Sequence, residues 1–135
     1  MSGNTAQTPA ARRRITQQEL DVICARHDRL WQAKPGGARA VVAWMDLSGL
    51  SLAGRNLADA GFAAACLIGC DLSGCRLDNA TFFGADMQDA VFRDASMRRS
   101  DLRGACLRGA DLTRAGLFEA DLREGAIAAG PARLG

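Results

Sequence analysis

A bulky apolar residue recurs at every fifth position of this chain, from Val42 to Ile127, and no other feature limits its fold so tightly. The series runs Val42, Leu47, Leu52, Leu57, Phe62, Leu67, Leu72, Leu77, Phe82, Met87, Phe92, Met97, Leu102, Leu107, Leu112, Leu117, Leu122, Ile127 without a slip. Two positions before most of these centres stands a small residue, led by alanine (Ala60, Ala80, Ala90, Ala105), with Cys70, Cys75 and Ser100 as substitutes. A period of five fits neither the 3.6 of a helix nor the 2.0 of a strand. It is an internal repeat, and the repeat sets the architecture before local propensity does.

Each centre and the small residue before it must face inward, because both are apolar in nearly every unit. The other three positions are polar and variable. Aspartate or asparagine often precedes the centre (Asp46, Asn56, Asp71, Asp86, Asp101), and glycine often follows it by two (Gly49, Gly54, Gly69, Gly74, Gly84). Asp and Asn side chains bond nearby backbone, and glycine tolerates the positive φ that corners need. The pattern therefore describes short extended segments joined by corners, a coil with sides of five residues. One unit cannot bury its own leucine, so coils must stack and share a backbone ladder.

Units such as Ala85-Asp86-Met87-Gln88-Asp89, Ala110-Asp111-Leu112-Thr113-Arg114 and Ala120-Asp121-Leu122-Arg123-Glu124 resemble the A-(D/N)-L-X-X repeats of the pentapeptide-repeat family. The resemblance covers residues 40–129. It implies a mainly β fold, a right-handed quadrilateral β-helix with four units per coil, here about 4.5 coils and roughly 20 Å long at strand spacing. Met45, Leu50 and Arg55 occupy small-residue positions, so the first coil is expected to be distorted or covered.

The segment before the repeats supplies a cover. Thr16 and Glu19 form a capping box, and Ile15 and Leu20 stand at the hydrophobic-staple positions. Leu20, Ile23, Cys24, Leu30 and Trp31 follow helical spacing on one face. Lys34-Pro35-Gly36-Gly37 then turns the chain. The expected organisation is a patternless, disordered tail at 1–14, a capping helix and turn at 15–39, repeats at 40–129 and a short tail at 130–135. The helix protects the raw strand edge of the first coil. Nothing comparable follows Ile127, so the far end is expected to stay open, with Ile127 and Leu134 as candidates for end-on self-association.

Charge is divided unevenly. Residues 1–39 carry 7 Lys/Arg and 3 Asp/Glu, whereas residues 40–129 carry 9 and 12. Arg12-Arg13-Arg14 precedes an amphipathic pattern rather than an apolar leader core, and no apolar run is long enough to span a membrane, so a cytoplasmic protein is expected. Arginine supplies 16 of the 17 basic residues, which suggests GC-rich coding and a bacterial source. Cys24, Cys70 and Cys75 read as buried thiols. Cys66 and Cys106 fall two coils apart, roughly 9–10 Å, too far for a disulfide. The spacing of Cys66, Cys70 and Cys75 does not match a zinc site.

No catalytic constellation emerges, and no cofactor or metal is expected. His27 follows Cys24 by three residues, but no oxyanion donor or orienting carboxylate accompanies the pair, which faces the repeats. The G-x4-G skeleton from Gly49 to Gly54 lacks the Lys-Ser/Thr of a phosphate loop and is generated by the period itself. The distinctive outward feature is arginine: Arg93, Arg98, Arg103 and Arg108 follow four successive centres, so they girdle one coil, one per side, with Arg99 adjacent. Stacking pairs Arg98 with Asp78, Arg114 with Asp94 and Glu119 with Arg99. Phe83 and Phe118 are outward apolar residues on adjacent sides. These arginines and phenylalanines are the candidate partner-binding residues. A girdle spreads charge round the rod, which argues against direct nucleic-acid binding. The expected function is that of a non-enzymatic scaffold or protein-binding module, able to form an end-on homodimer. The resemblance implies an alternative, a DNA mimic that protects or inhibits DNA gyrase.

Overall fold

The computed structural model describes residues 12–125. A short strand β1 (Arg13–Arg14) leads into helix α1 (Gln17–Trp31), and strand β2 (Met45–Asp46) lies in the first coil. From there the chain climbs by parallel bridges spaced 20 residues apart. One wall of the stack reads Val41, Gly61, Thr81, Asp101, Asp121; the next reads Asp46, Cys66, Asp86, Cys106. The other two walls carry Ser51, Asp71, Val91, Asp111 and Asn56, Arg76, Ser96, Gly116. Four bridged walls follow directly from four units per turn.

Each corner is a turn closed by a bond to the centre carbonyl from the amide three residues on, as in Leu50 N–H to Leu47 O at 3.0 Å and Ala85 N–H to Phe82 O at 2.9 Å. The third residue of every such turn has positive φ, which is why glycine recurs there. Nine of these corners hold other residues, among them Trp44, Ala64 and Arg99, and the surrounding ladder holds them in place. The residue before the centre braces the turn: Asp71 accepts from Ser73 N–H at 2.9 Å, and Asp101 accepts from Arg103 N–H at 3.1 Å. These bonds favour the ionised carboxylate. The Ser73 hydroxyl foremost keeps Asp71 below the ordinary range, and Arg103 does the same for Asp101.

The interior is a column of centres and small residues. Phe62 and Phe82 stack with ring centroids 4.8 Å apart and planes 5° from parallel, and Phe92 meets Phe82 edge-on at 6.2 Å. The stacked pair repeats at the strand spacing because equivalent side chains lie one coil apart. Cys70 and Cys75, in small-residue positions, donate their thiols to Leu47 O at 2.9 Å and Leu52 O at 2.8 Å. They pack as small apolar residues with a satisfied S–H.

Two expectations for the N-terminal segment need correction. Residues 12–14 do not continue a patternless tail: Arg13 and Arg14 pair in parallel with Met45 and Asp46, and Arg12 Nε donates to Ala64 O at 2.6 Å. Nothing in a run of three arginines announces a strand, but the first coil offers unpaired backbone groups that β1 satisfies. Residues 1–11 lie outside the described residues. The second correction concerns α1. Thr16 and Glu19 form the expected capping box, and Ile15 and Leu20 are buried. The covered face is Leu20, Cys24 and His27, with Ile23 packed against the core, whereas Leu30 and Trp31 are each 47% exposed. A helix of 15 residues runs about 22 Å, while a coil side of five residues spans at most about 16 Å, so the last turn overhangs the rod. The returning chain passes close beneath it: a Cβ on Gly37 would lie 2.5 Å from Leu30 N.

At the opposite end the packing thins. Leu112 and Leu117 are only partly covered, and Leu122 is 41% exposed, although the equivalent centres below them are buried. Ile127, Leu134 and the expected C-terminal tail lie outside the described residues.

Candidate functional site

Three regions carry side chains that chemistry or a partner could use: the contact between α1 and the first coil, the outward walls, and the C-terminal end.

At the first region, away from β1, the first coil lacks a strand below it, and side chains of α1 take that neighbour's place. Gln17 bonds both backbone groups of Ser51: its Nε2 donates to Ser51 O at 2.9 Å and its Oε1 accepts from Ser51 N–H at 2.8 Å. His27 is fully buried, with Nε2 2.9 Å from Ala58 O and Nδ1 2.9 Å from Ala40 N. A carbonyl can only accept and an amide N–H can only donate. The bonding therefore requires a neutral ring with its proton on Nε2. Arg55, in a small-residue position, turns towards α1 and pairs with Asp21 at 3.3 Å and Asp28 at 3.8 Å.

This region is structural rather than catalytic. Both ring nitrogens of His27 are committed to the backbone, so neither can activate Cys24. Burial pushes the Cys24 thiol up to about 11, which leaves it protonated at neutral pH. Burial likewise raises Cys70 to about 12 and Cys75 to about 11. No group of three or more His, Cys, Asp or Glu among the described residues could hold a metal ion.

The bridge register places the four girdle arginines on four different walls. Their surroundings differ. Arg103 is held by Asp101 at 2.8 Å and Asp121 at 3.9 Å, with its guanidinium 5.4 Å from the Phe83 ring centroid. Arg93 pairs with Asp111 at 3.3 Å, and Arg99 with Glu119 at 3.6 Å. Arg98 sits 5.5 Å from the Phe118 centroid. Among the described residues, neither Arg98 nor Arg108 has a carboxylate ion pair. The expected Arg114–Asp94 pair forms at 2.6 Å, and the expected Glu119–Arg99 pair at 3.6 Å. The expected Arg98–Asp78 ion pair does not. Asp78 accepts from Arg98 N–H at 3.0 Å and from the Ser96 hydroxyl at 2.5 Å, and pairs with Arg76 at 3.5 Å. Closer partners one strand position away leave the Arg98 guanidinium free to cover Phe118.

The two outward phenylalanines also differ. Phe118 is 61% exposed, whereas Phe83 is half-buried beneath Arg103 and close to Gly125. Sequence reasoning missed Trp31, whose ring lies 6.0 Å from the Arg76 guanidinium. The helical period put Trp31 on the covered face, and only the overhang of α1 reveals it. It also missed Leu112, Leu117 and Leu122 as the exposed apolar end, since the period marks them as core.

Comparison with known proteins accords with this architecture. Residues 75–114 match the Pentapeptide repeats family in eight copies. A pentapeptide repeat protein from the Arabidopsis thaliana thylakoid lumen is 29% identical over 66% of this chain, with a TM-score of 0.60. The match spans 57% of that protein's length. HetL, a pentapeptide repeat protein involved in heterocyst differentiation regulation in the cyanobacterium Nostoc, is 33% identical over 57% of this chain and 38% of its own, with a TM-score of 0.47. A plasmid-mediated fluoroquinolone resistance protein is 21% identical over 62% of this chain and 48% of its own, with a TM-score of 0.39. No curated protein matches the sequence.

Proposed function

Because this chain is a pentapeptide-repeat protein, we propose that it works as a non-enzymatic scaffold or binding module, its contacts made by the walls and the open end of the rod. On this reading the coil is right-handed, as the family implies, α1 is its cap, and the protein acts in the bacterial cytoplasm. One observation carries the reading. The inward residues and the groups beneath α1 are consumed by packing and backbone bonding, while the outward side chains remain available to a partner. Recognition is the work left to those outward groups.

Two surfaces serve it. The girdle residues Arg93, Arg98, Arg99, Arg103 and Arg108, with Phe83 and Phe118, offer a partner cations set beside aromatic rings. Among the described residues, the last coil leaves Leu117 partly covered and Leu122 exposed, apolar area for a second copy in an end-on homodimer, while Ile127 and Leu134, the sequence's candidates for that contact, lie outside the described residues. Imitation of DNA towards gyrase stands second, because four arginines interrupt the acidic surface such imitation needs.

Affinity capture from the source organism tests the wall, comparing native bait with bait carrying Ser at Arg93, Arg98, Arg103 and Arg108. A partner retained by the native bait and lost by the variant supports the reading. Sedimentation tests the end: a dimer abolished by Leu122→Asp supports it, and a monomer at every concentration removes the end-on contact.

A further inference from the structure

We propose that the overhanging end of α1 and the wall beside it form a docking surface for an acidic peptide segment of a protein partner. The proposal rests on reading the chain as a binding module, and it adds the chemistry of what is bound and a place away from most of the girdle.

The charge at this end is concentrated and not neutralised by carboxylates, with Arg39 Nη1 donating only to the backbone Asp59 O at 2.9 Å. Arg26, Arg29, Lys34 and Arg39 fall within one short stretch, and the fold holds their backbones together: Lys34 N–H bonds Arg29 O at 2.8 Å, and Ala38 N–H bonds Arg26 O at 3.0 Å. Asp28, the acid in that stretch, lies 3.8 Å from Arg55. Among the described residues none of the four cations has a carboxylate ion pair. The contrast with Arg93, Arg99 and Arg103, each held by its own carboxylate, is direct.

The adjoining wall continues the surface with rings. Trp31 overhangs onto Arg76, and one coil further Arg98 meets Phe118, both rings substantially exposed. A ring beside a guanidinium supports its flat face and leaves the N–H edges outward, the edges that grip a carboxylate. Leu30 and Trp31 add exposed apolar area between the cations.

These features fit a peptide better than a nucleic acid. Asp78 lies in the middle of the wall, bonded to Arg98 N–H and paired with Arg76. A fixed carboxylate there repels a continuous line of phosphates. A peptide can set its acidic side chains either side of it and place apolar ones on Leu30 and Trp31. Single-strand binding also relies on ring faces open for base stacking, and here each ring already has a guanidinium close to it.

The test uses the full chain carrying Trp44→Phe, which leaves Trp31 as the reporting tryptophan. The probe is a synthetic peptide of Glu-Glu-Leu repeats, compared with Gln-Gln-Leu repeats and with oligo-dT. Circular dichroism first establishes that each variant folds. We expect the Glu peptide alone to shift Trp31 emission at low salt, and the shift to fade as salt shortens the Debye length from roughly 10 Å at 0.1 M to 3 Å at 1 M. Arg76→Ser with Arg98→Ser weakens binding by about fivefold or more, one such step being about 1 kcal/mol. Arg26→Ser with Arg29→Ser does the same, while Arg123→Ser, on another wall and paired with Asp121, leaves binding unchanged. Failure of the Glu peptide to bind, an equal loss in Arg123→Ser, or tighter binding of oligo-dT overturns the proposal. If it falls while affinity capture through the girdle or the end-on dimer persists, the binding-module reading stands without this surface.

Discussion

Replacing His27 by alanine tests how the first coil is finished. In the coils above, the carbonyl equivalent to Ala58 O accepts from the coil below, as Asp78 O does from Asp59 N–H at 2.9 Å. The amide equivalent to Ala40 N–H closes a turn, as Ala60 N–H does on Leu57 O at 3.1 Å. Neither bond is made by the equivalent residues at the start of the repeats, and the imidazole supplies both at 2.9 Å. Removing the ring leaves two buried backbone groups unsatisfied, each costing about 1–3 kcal/mol, and opens a cavity besides. We therefore expect His27→Ala to lower the unfolding free energy by about 3–5 kcal/mol. Urea denaturation followed by circular dichroism measures it. His27→Phe separates burial from bonding: it keeps a ring, loses both bonds, and should be destabilised as severely. His27→Gln can still reach Ala58 O and should recover part of the loss. A change below about 0.5 kcal/mol in His27→Ala, or a near-native His27→Phe, would refute the reasoning.

Three further outcomes are expected. In the interior, Leu102→Ala should cost about 2–5 kcal/mol and Ala90→Leu about 1–3 kcal/mol, with Gln88→Ala within about 0.5 kcal/mol; equal sensitivity inside and out would show the register to be misassigned. On acidification, Asp71, Asp101, Asp111 and Asp121 sit below their unfolded values, Asp121 at about 2 against an ordinary 3.8. Their contribution is complete above the ordinary value and is lost as pH falls through the folded one, so melting temperature should hold near neutrality and drop from about pH 4 towards 2; a flat profile through that window contradicts the turn-bracing role. In a supercoiling assay, micromolar protein should neither inhibit gyrase nor protect it from a quinolone, and clear protection would raise DNA imitation above the binding-module reading.

Much of this fold was legible because a period of five leaves few solutions. The centres from Val42 to Leu107 face inward as read, and the positions two after each centre are the positive-φ corners. What escaped notice was whatever depends on an end rather than on the period. Arg13 and Arg14 form a strand only because the first coil presents an unpaired edge to them, and propensity says nothing about that edge. His27 read as a stray histidine near a cysteine, since its purpose is defined by two groups that lack their usual partners. Leu30 and Trp31 match the helical stripe and still emerge, because the stripe outlasts the surface beneath it. Among the candidate surface residues, the period set wall and height, and of the three expected pairs Arg114–Asp94 and Glu119–Arg99 formed while Arg98–Asp78 did not. Asp78 takes Arg76, the Ser96 hydroxyl and the Arg98 backbone N–H rather than the Arg98 guanidinium, an outcome set by side-chain geometry within a few ångströms.

The 20-residue bridge spacing also sets how such a chain can change its length. Inserting a full turn adds a storey and leaves every outward side chain on its original wall, so a docking surface above the insertion is lengthened without being scrambled. Inserting a single five-residue unit preserves the apolar register completely, yet it rotates everything downstream by a quarter turn: Arg98 would leave the wall it shares with Arg76, and the alignment of Trp31 with Phe118 would be lost. Folding tolerates both insertions and recognition tolerates one, so the surface, not the core, decides which lengths of this rod are interchangeable.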